Sequence, residues 1–228
     1  MHDTALNFGQ LFFKIYLNNR SNLSVVDIGS QDVNGSLKSV MPSNHKYIGV
    51  DIAEGKGVDI IINDPYSLPF ENESIDVVVT SSCFEHCEFF WLAFTEALRI
   101  LKPDGLLYIN VPSNGLIHRY PFDYWRFYPD SGLALENWGI KYGFNVQLLE
   151  SFIGDQGQYG WNDFVAVFIK DKIFGEKYQS RIIQNIATFK NGYLDSSKTV
   201  INPVEFSQDQ FERIALIKKS QQTNNSSN

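Results

Sequence analysis

The apolar positions of this chain change period several times, and each change marks an element. Over residues 4–18, Phe8, Leu11, Phe12 and Ile15 share one helical face. Val25 to Ile28 is a short β-branched run that reads as a buried parallel strand. Tyr47–Val50, Val58–Ile62, Ile75–Thr80 and Leu106–Val111 read the same way. Ser36 to Met41 is a short helix at most, stopped by Pro42, and Pro65 and Pro69 bar regular structure from the loop at 64–70. The clearest helix spans 87–101, where Phe90, Phe94, Ala97, Leu98 and Leu101 keep one face and Lys102-Pro103-Asp104-Gly105 ends it in a turn. Residues 112–130 are aromatic and aperiodic, which predicts a lid or insertion. A helix is expected over 131–142, then an antiparallel pair at Phe144–Leu149 and Phe164–Ile169, and a short helix at Phe211–Lys218.

Alternating strands and helices predict an α/β fold, a doubly wound and mainly parallel sheet of seven strands with a terminal antiparallel strand. We expect one domain over 1–172, with a helix at 1–20 and the lid at 112–130. A C-terminal extension follows over 173–220, then a disordered polar tail at 221–228. In such sheets ligands sit beyond the carboxyl ends of the strands, where strand order reverses. Gly29, Asp51, Asp64, Ser81 and the 112–130 loop should therefore surround one crevice.

Composition narrows the function. The 228 residues carry 19 basic and 26 acidic side chains, net −7, so the electrostatic footprint of a general nucleic-acid binder is missing. No apolar run reaches the length of a membrane span, and Met1–Asn18 is too interrupted by polar residues for a secretory signal. Only Cys83 and Cys87 are present, which excludes a disulfide framework and suits a cytoplasmic protein.

The turn after the first strand is where candidate chemistry begins. Gly29 lets the backbone approach a ligand closely, and Asp51 follows roughly 20 residues on, as in nucleoside-binding α/β domains. The Gly-x-Gly-x-x-Gly of a nicotinamide site is missing from Gly29-Ser30-Gln31-Asp32-Val33-Asn34. Asn63-Asp64-Pro65-Tyr66 stands after the third strand rather than the fourth, which argues against an enzyme methylating nucleic acid bases. Cys83, His86 and Cys87 lack a fourth ligand, so no metal is expected there.

Val25-Val26-Asp27-Ile28-Gly29, Tyr47-Ile48-Gly49-Val50-Asp51, Asn63-Asp64 with Leu68-Pro69-Phe70, Ile75-Asp76-Val77-Val78, Phe84-Glu85-His86 and Leu98-Arg99-Ile100-Leu101-Lys102-Pro103-Asp104-Gly105-Leu106 follow in order with short gaps. Together they resemble the class I S-adenosylmethionine-dependent methyltransferases, with a Rossmann-like fold, over about residues 22–170. His118 to Phe127 looks like a segment of a bacterial subgroup associated with cell-surface sugars and secondary metabolites. The resemblance implies S-adenosylmethionine as cofactor, with Asp27 and Gly29 at its methionine end, Asp51 on the ribose, Asp64 at the adenine, and Ser81 facing it. Ser30, Gln31, Ile52 and Pro65 complete that set. One departure stands out: Gln31 and Val33 replace the later glycines of the family's Asp-x-Gly-x-Gly-x-Gly, with Asn34-Gly35 available to restore the turn.

The expected reaction is methyl transfer to a small-molecule acceptor, a hydroxyl of a sugar or secondary metabolite. His118 is the first candidate base, oriented by Asp123, with His86 in reserve. Arg119 and Arg126 would hold an anionic group of the acceptor, alongside Tyr120 and Tyr124. No nucleic acid or membrane partner is expected, and homo-oligomerisation is left open. The alternative is a degenerate domain of the same fold that binds a partner without catalysis.

Overall fold

Both residue parities are apolar in the central strands, so both faces of the sheet must be covered. The computed structural model, which describes residues 2–205 and 207–225, bears this out. Its strands are β1 (Ser24–Ile28), β2 (Lys46–Asp51), β3 (Ile60–Ile61), β4 (Ile75–Ser81), β5 (Leu101–Pro112), β6 (Gln147–Ile153), β7 (Asp163–Ile169) and β8 (Lys190–Leu194). They form one sheet in the order β3-β2-β1-β4-β5-β7-β6-β8. β1 to β5 are mutually parallel, whereas β7 runs antiparallel to β5 and to β6, and β8 antiparallel to β6.

Val78, Leu107 and Phe168 point into the core shared with α2 (Phe90–Ile100) and α3 (Ser131–Lys141). Val77, Tyr108 and Val167 point the other way, against Phe8, Phe12 and Phe13 of α1 (Asp3–Tyr16). Strand order reverses between β1 and β4, so their carboxyl ends open the crevice.

The fold class is as expected, and several details differ. The sheet has eight strands among the described residues, not seven. The eighth, β8, comes from the 173–220 stretch expected to be an extension. The third strand is only two residues long; just before it Asp59 N donates to Gly49 O at 2.8 Å, and the Asp59 side chain, rather than a main-chain carbonyl, accepts from Gly49 N at 2.8 Å. The turn expected at Lys102–Gly105 is instead the irregular start of β5, where the register with β4 shifts. A 3₁₀ turn (Phe84–His86) precedes α2, which therefore starts at Phe90 rather than 87. Finally, α4 (Gln208–Asn225) is longer than the predicted helix and runs into the segment read as a disordered tail. Residues 226–228 lie outside the described residues.

Glu150 ties this C-terminal stretch to the core. Its carboxyl is fully buried and accepts from Tyr16 Oη at 2.6 Å, Ile182 N at 2.7 Å and Ile183 N at 3.0 Å. Burial pushes the Glu150 carboxyl above its ordinary range. Beside it, buried Arg181 donates to Leu149 O at 3.1 Å and to Asp195 Oδ1 at 2.6 Å. β8 and the turn at 182–184 are thus fixed to β6 by a polar network as well as by strand pairing.

Candidate active site

The turn after β1 is set by a close approach. Gly29 has φ +79°, and a Cβ there would stand 2.5 Å from both Cβ and Sγ of Cys83. Only glycine lets the end of β1 pass the end of β4. The loop then closes without the later glycines: Asp32 N donates to Lys56 O at 2.7 Å, Asp32 Oδ1 accepts from Gly35 N at 2.8 Å, and Gly35 has φ +122°. Gly35 therefore does supply a left-handed residue, whereas Asn34 does not.

Asp51 sits at the mouth of this turn. Its carboxylate accepts from Gln31 N at 3.0 Å and Ile52 N at 2.7 Å, so it is oriented before any ligand arrives. Behind it the buried Asp27 carboxyl accepts from Tyr47 Oη. Burial raises Asp27 to about 7, against the opposing hydrogen bond from Tyr47. A carboxyl near 3.9 in the unfolded chain and about 7 in the fold binds its proton better when folded. Its stabilisation is complete below the unfolded value and is lost as pH rises through about 7. Asp27→Asn should therefore flatten the fall of melting temperature between pH 5 and 7.5; an unaltered slope would assign that pH dependence elsewhere.

A cavity of about 1350 Å³ opens here. Asp27, Gly29, Ser30, Gln31, Asp51, Ile52, Pro65 and Ser81 all line it, as do His86, His118, Arg119, Tyr120 and Tyr124. Three of the sequence candidates do not. Asp64 is exposed and spends Oδ1 on Tyr66 N at 2.8 Å, closing the proline turn. Asp123 and Arg126 pair with each other behind the lid, at 2.6 Å and 2.8 Å, and Arg126 also donates to Leu116 O at 2.8 Å. That guanidinium, first, holds Asp123 down to about 2. The pair staples the 112–130 loop, so Arg126 is not a free clamp, whereas Arg119 is exposed on the rim.

Two histidines and a carboxyl meet at the lid's root. His86 Nε2 lies 3.7 Å from Glu85 Oε1, and His118 Nε2 lies 3.9 Å from the same oxygen. The two rings meet edge to face at 4.8 Å. Glu85 is 1% exposed and neither carboxyl oxygen has a hydrogen-bond partner. Its burial raises it to about 8, while desolvation lowers His86. His118 also packs edge-on against Trp161 at 5.0 Å, and its main-chain N–H donates to Asp123 Oδ2 at 2.8 Å. Asp123 Oδ2 is 3.6 Å from His118 Nδ1, so it orients this histidine through backbone and ring together.

Sequence reasoning missed one wall of the cavity. His2, at the head of α1, stacks on Trp161 at 5.9 Å and reaches Asp163 Oδ1 at 2.8 Å. His2, Tyr159 and Trp161 line the cavity. Nothing in the local pattern marks them, because the packing of α1 on the sheet brings them there. Glu85 was visible in Phe84-Glu85-His86 but is unremarkable until its burial is known. Cys83 and Cys87 are free thiols, raised by burial, and do not join His86 in a metal-like cluster.

Residues 26–109 match the family described as methyltransferase domain. The matched stretch, which runs from β1 into β5, is that of a methyltransferase domain. The ubiquinone/menaquinone biosynthesis C-methyltransferase UbiE of Bartonella tribocorum is 27% identical over 84% of this chain and 70% of its own length. The malonyl-[acyl-carrier protein] O-methyltransferase of Methylococcus capsulatus is 29% identical over 35% of this chain, which spans only 33% of that relative's length. Among solved structures, the 1,6-didemethyltoxoflavin-N1-methyltransferase of Burkholderia thailandensis aligns with a TM-score of 0.56 at 16% identity. The alignment covers 73% of this chain and 78% of that one, and that structure holds S-adenosylhomocysteine. No helix among the described residues is long and apolar enough to cross a membrane.

The cofactor of this class of domain is S-adenosylmethionine, and the crevice fits it. Gly29 leaves backbone bare where a Cβ would collide with Cys83. Asp51 keeps acceptor capacity after its three amide bonds, from Gln31, Ile52 and Ala53, suited to a diol, and the buried Ser30 and Ser81 hydroxyls have no hydrogen-bond partner among the described residues.

Proposed function

We propose that the protein transfers a methyl group from S-adenosylmethionine to a hydroxyl of a small-molecule acceptor, a sugar or secondary metabolite. The observation that carries this reading is His118 on the cavity wall with Nε2 toward buried Glu85. Asp51 would hold the ribose hydroxyls, Ile52 and Pro65 would flank the adenine, and Asp27, Gly29, Ser30, Gln31 and Ser81 would surround the methionine end. S-Adenosylmethionine supplies an electrophilic methyl group, so the chain's task is to align the acceptor and keep water out. His118 takes the hydroxyl proton as the oxygen attacks, and Arg119, Tyr120 and Tyr124 seat the acceptor under the lid. A carbon acceptor is the second reading, favoured by the likeness to UbiE over most of the chain. A non-catalytic binding domain rested on the missing glycines, and the Asp32–Gly35 closure removes much of its appeal.

Calorimetric titration with S-adenosylhomocysteine tests the cofactor half. Micromolar binding is expected, and Asp51→Ala should weaken it by about 1.5–3 kcal/mol through lost charge-assisted hydrogen bonds. No binding by the wild type would end the enzyme reading. Incubation with labelled cofactor and a panel of sugars, sugar nucleotides and quinols then separates oxygen from carbon acceptors.

A further inference from the structure

Glu85, His86 and His118 bring one carboxyl oxygen and two ring nitrogens within 4.8 Å of one another, and no hydrogen bond explains why. The outer edges of both imidazoles are accounted for. His86 Nδ1 lies 2.5 Å from Phe122 O, an acceptor, so it carries the hydrogen and leaves Nε2 as a lone pair. His118 Nδ1 faces Leu116 O at 3.4 Å and Asp123 Oδ2 at 3.6 Å, both acceptors. Arg126 Nη2, 3.5 Å from that nitrogen, already donates to each of them. In this tautomer the Nε2 lone pairs of both rings and the Glu85 carboxyl converge on one point at the cavity wall. With Glu85 ionised these are three acceptors facing one another, an arrangement that a cation between them satisfies.

The geometry points to a site for a divalent transition-metal ion, Zn²⁺ in class, bound by Glu85 Oε1, His86 Nε2 and His118 Nε2. Two nitrogens and one oxygen suit zinc or its first-row neighbours rather than Mg²⁺ or Ca²⁺. Four-coordinate zinc keeps such donors roughly 3.4 Å apart; the 3.7 Å and 3.9 Å histidine–Glu85 separations need a few tenths of an ångström of closure, and the two ring nitrogens, within 4.8 Å of each other, need up to about 1.4 Å through rotation of the partly exposed lid imidazole. The outer contacts from Phe122, Leu116 and Asp123 match the partners that fix ligating histidines elsewhere. The fourth position would open into the cavity, as in catalytic rather than structural zinc sites. An acceptor oxygen reaching it would be bound and acidified, with His118 then a ligand rather than a base.

Metal binding is measured without any methyl transfer, so its failure leaves the methyl-transfer reading in place with His118 as the base, and its success keeps that reading while moving the acidification of the acceptor from His118 to the ion. Chelator-treated full-length protein is titrated with Zn²⁺ by calorimetry and with Co²⁺ by visible absorption. One equivalent should bind, with four- or five-coordinate d–d bands. Glu85→Gln and His118→Ala should each weaken binding at least about 10²-fold, with circular dichroism confirming the fold. The double variant Cys83→Ser, Cys87→Ser should bind as the wild type does. Absence of a stoichiometric site, or binding lost in the cysteine variant and kept in Glu85→Gln, would overturn the assignment.

Discussion

His118→Ala is expected to lower turnover by roughly 10²–10⁴ while leaving cofactor affinity unchanged. His118 lines the cavity from the 112–130 loop, whereas Gly29 and Asp51 line it from the ends of β1 and β2, so truncating His118 removes nothing from the turn that would hold the cofactor. Its ring is positioned by Asp123, Trp161, Glu85 and His86. Truncation removes the proton acceptor and leaves that frame in place. The readout that separates chemistry from packing is the pH dependence of kcat. A base at His118 gives the wild type a falling acidic limb that the variant lacks, whereas a ligand role makes the loss depend on added metal. An inactive His86→Ala beside a fully active His118→Ala would transfer the role to His86. Two active variants would leave catalysis to positioning alone.

Glu150→Ala should destabilise the protein by at least about 3 kcal/mol, the cost of stranding three buried donors at about 1 kcal/mol or more each. The donors are Tyr16 Oη, Ile182 N and Ile183 N, on α1 and on the turn before β8. Glu150 and Ile182 are both fully buried, so these donors are shut off from bulk solvent in the wild type. In melting temperature this is a drop of roughly 6–12 °C for a chain of this size. Glu150→Gln, which keeps one acceptor oxygen, should lose less. Urea unfolding that gave Glu150→Ala within 1 kcal/mol of the wild type would mean that the C-terminal stretch contributes little to the fold.

That network also shows where the sequence stops being legible. The central strands and the helices at 4–18, 87–101 and 131–142 could be read because period and β-branching are local properties. Gly29 and Asp51 could be read because a turn and its acid are set by short spacing. β8 could not: Lys190-Asn191-Gly192-Tyr193-Leu194 has no strand-like alternation and is held by its pairing with β6. Asp64 and Arg126 have the right chemistry in the right loops, yet their contacts turn them away from the cavity. His2 and Trp161 meet only through long-range packing, which leaves no trace in either neighbourhood.

The sheet order bears on how the chain is assembled as it is made. β6 lies between β7 and β8, and both of its neighbours follow it in the chain. Each strand from β2 through β5 finds its parallel partner already synthesised when it emerges from the ribosome. β5 then presents an open edge, with Leu106 to Val111 unpaired on one side, until the segment from Asp163 has been synthesised. β6 emerges with nothing to pair to in the meantime. The nascent protein thus carries an apolar, template-like edge across the whole of the lid's synthesis. Chains arrested between Pro112 and Asp163 should aggregate or recruit chaperones, and chains released beyond Leu194 should not.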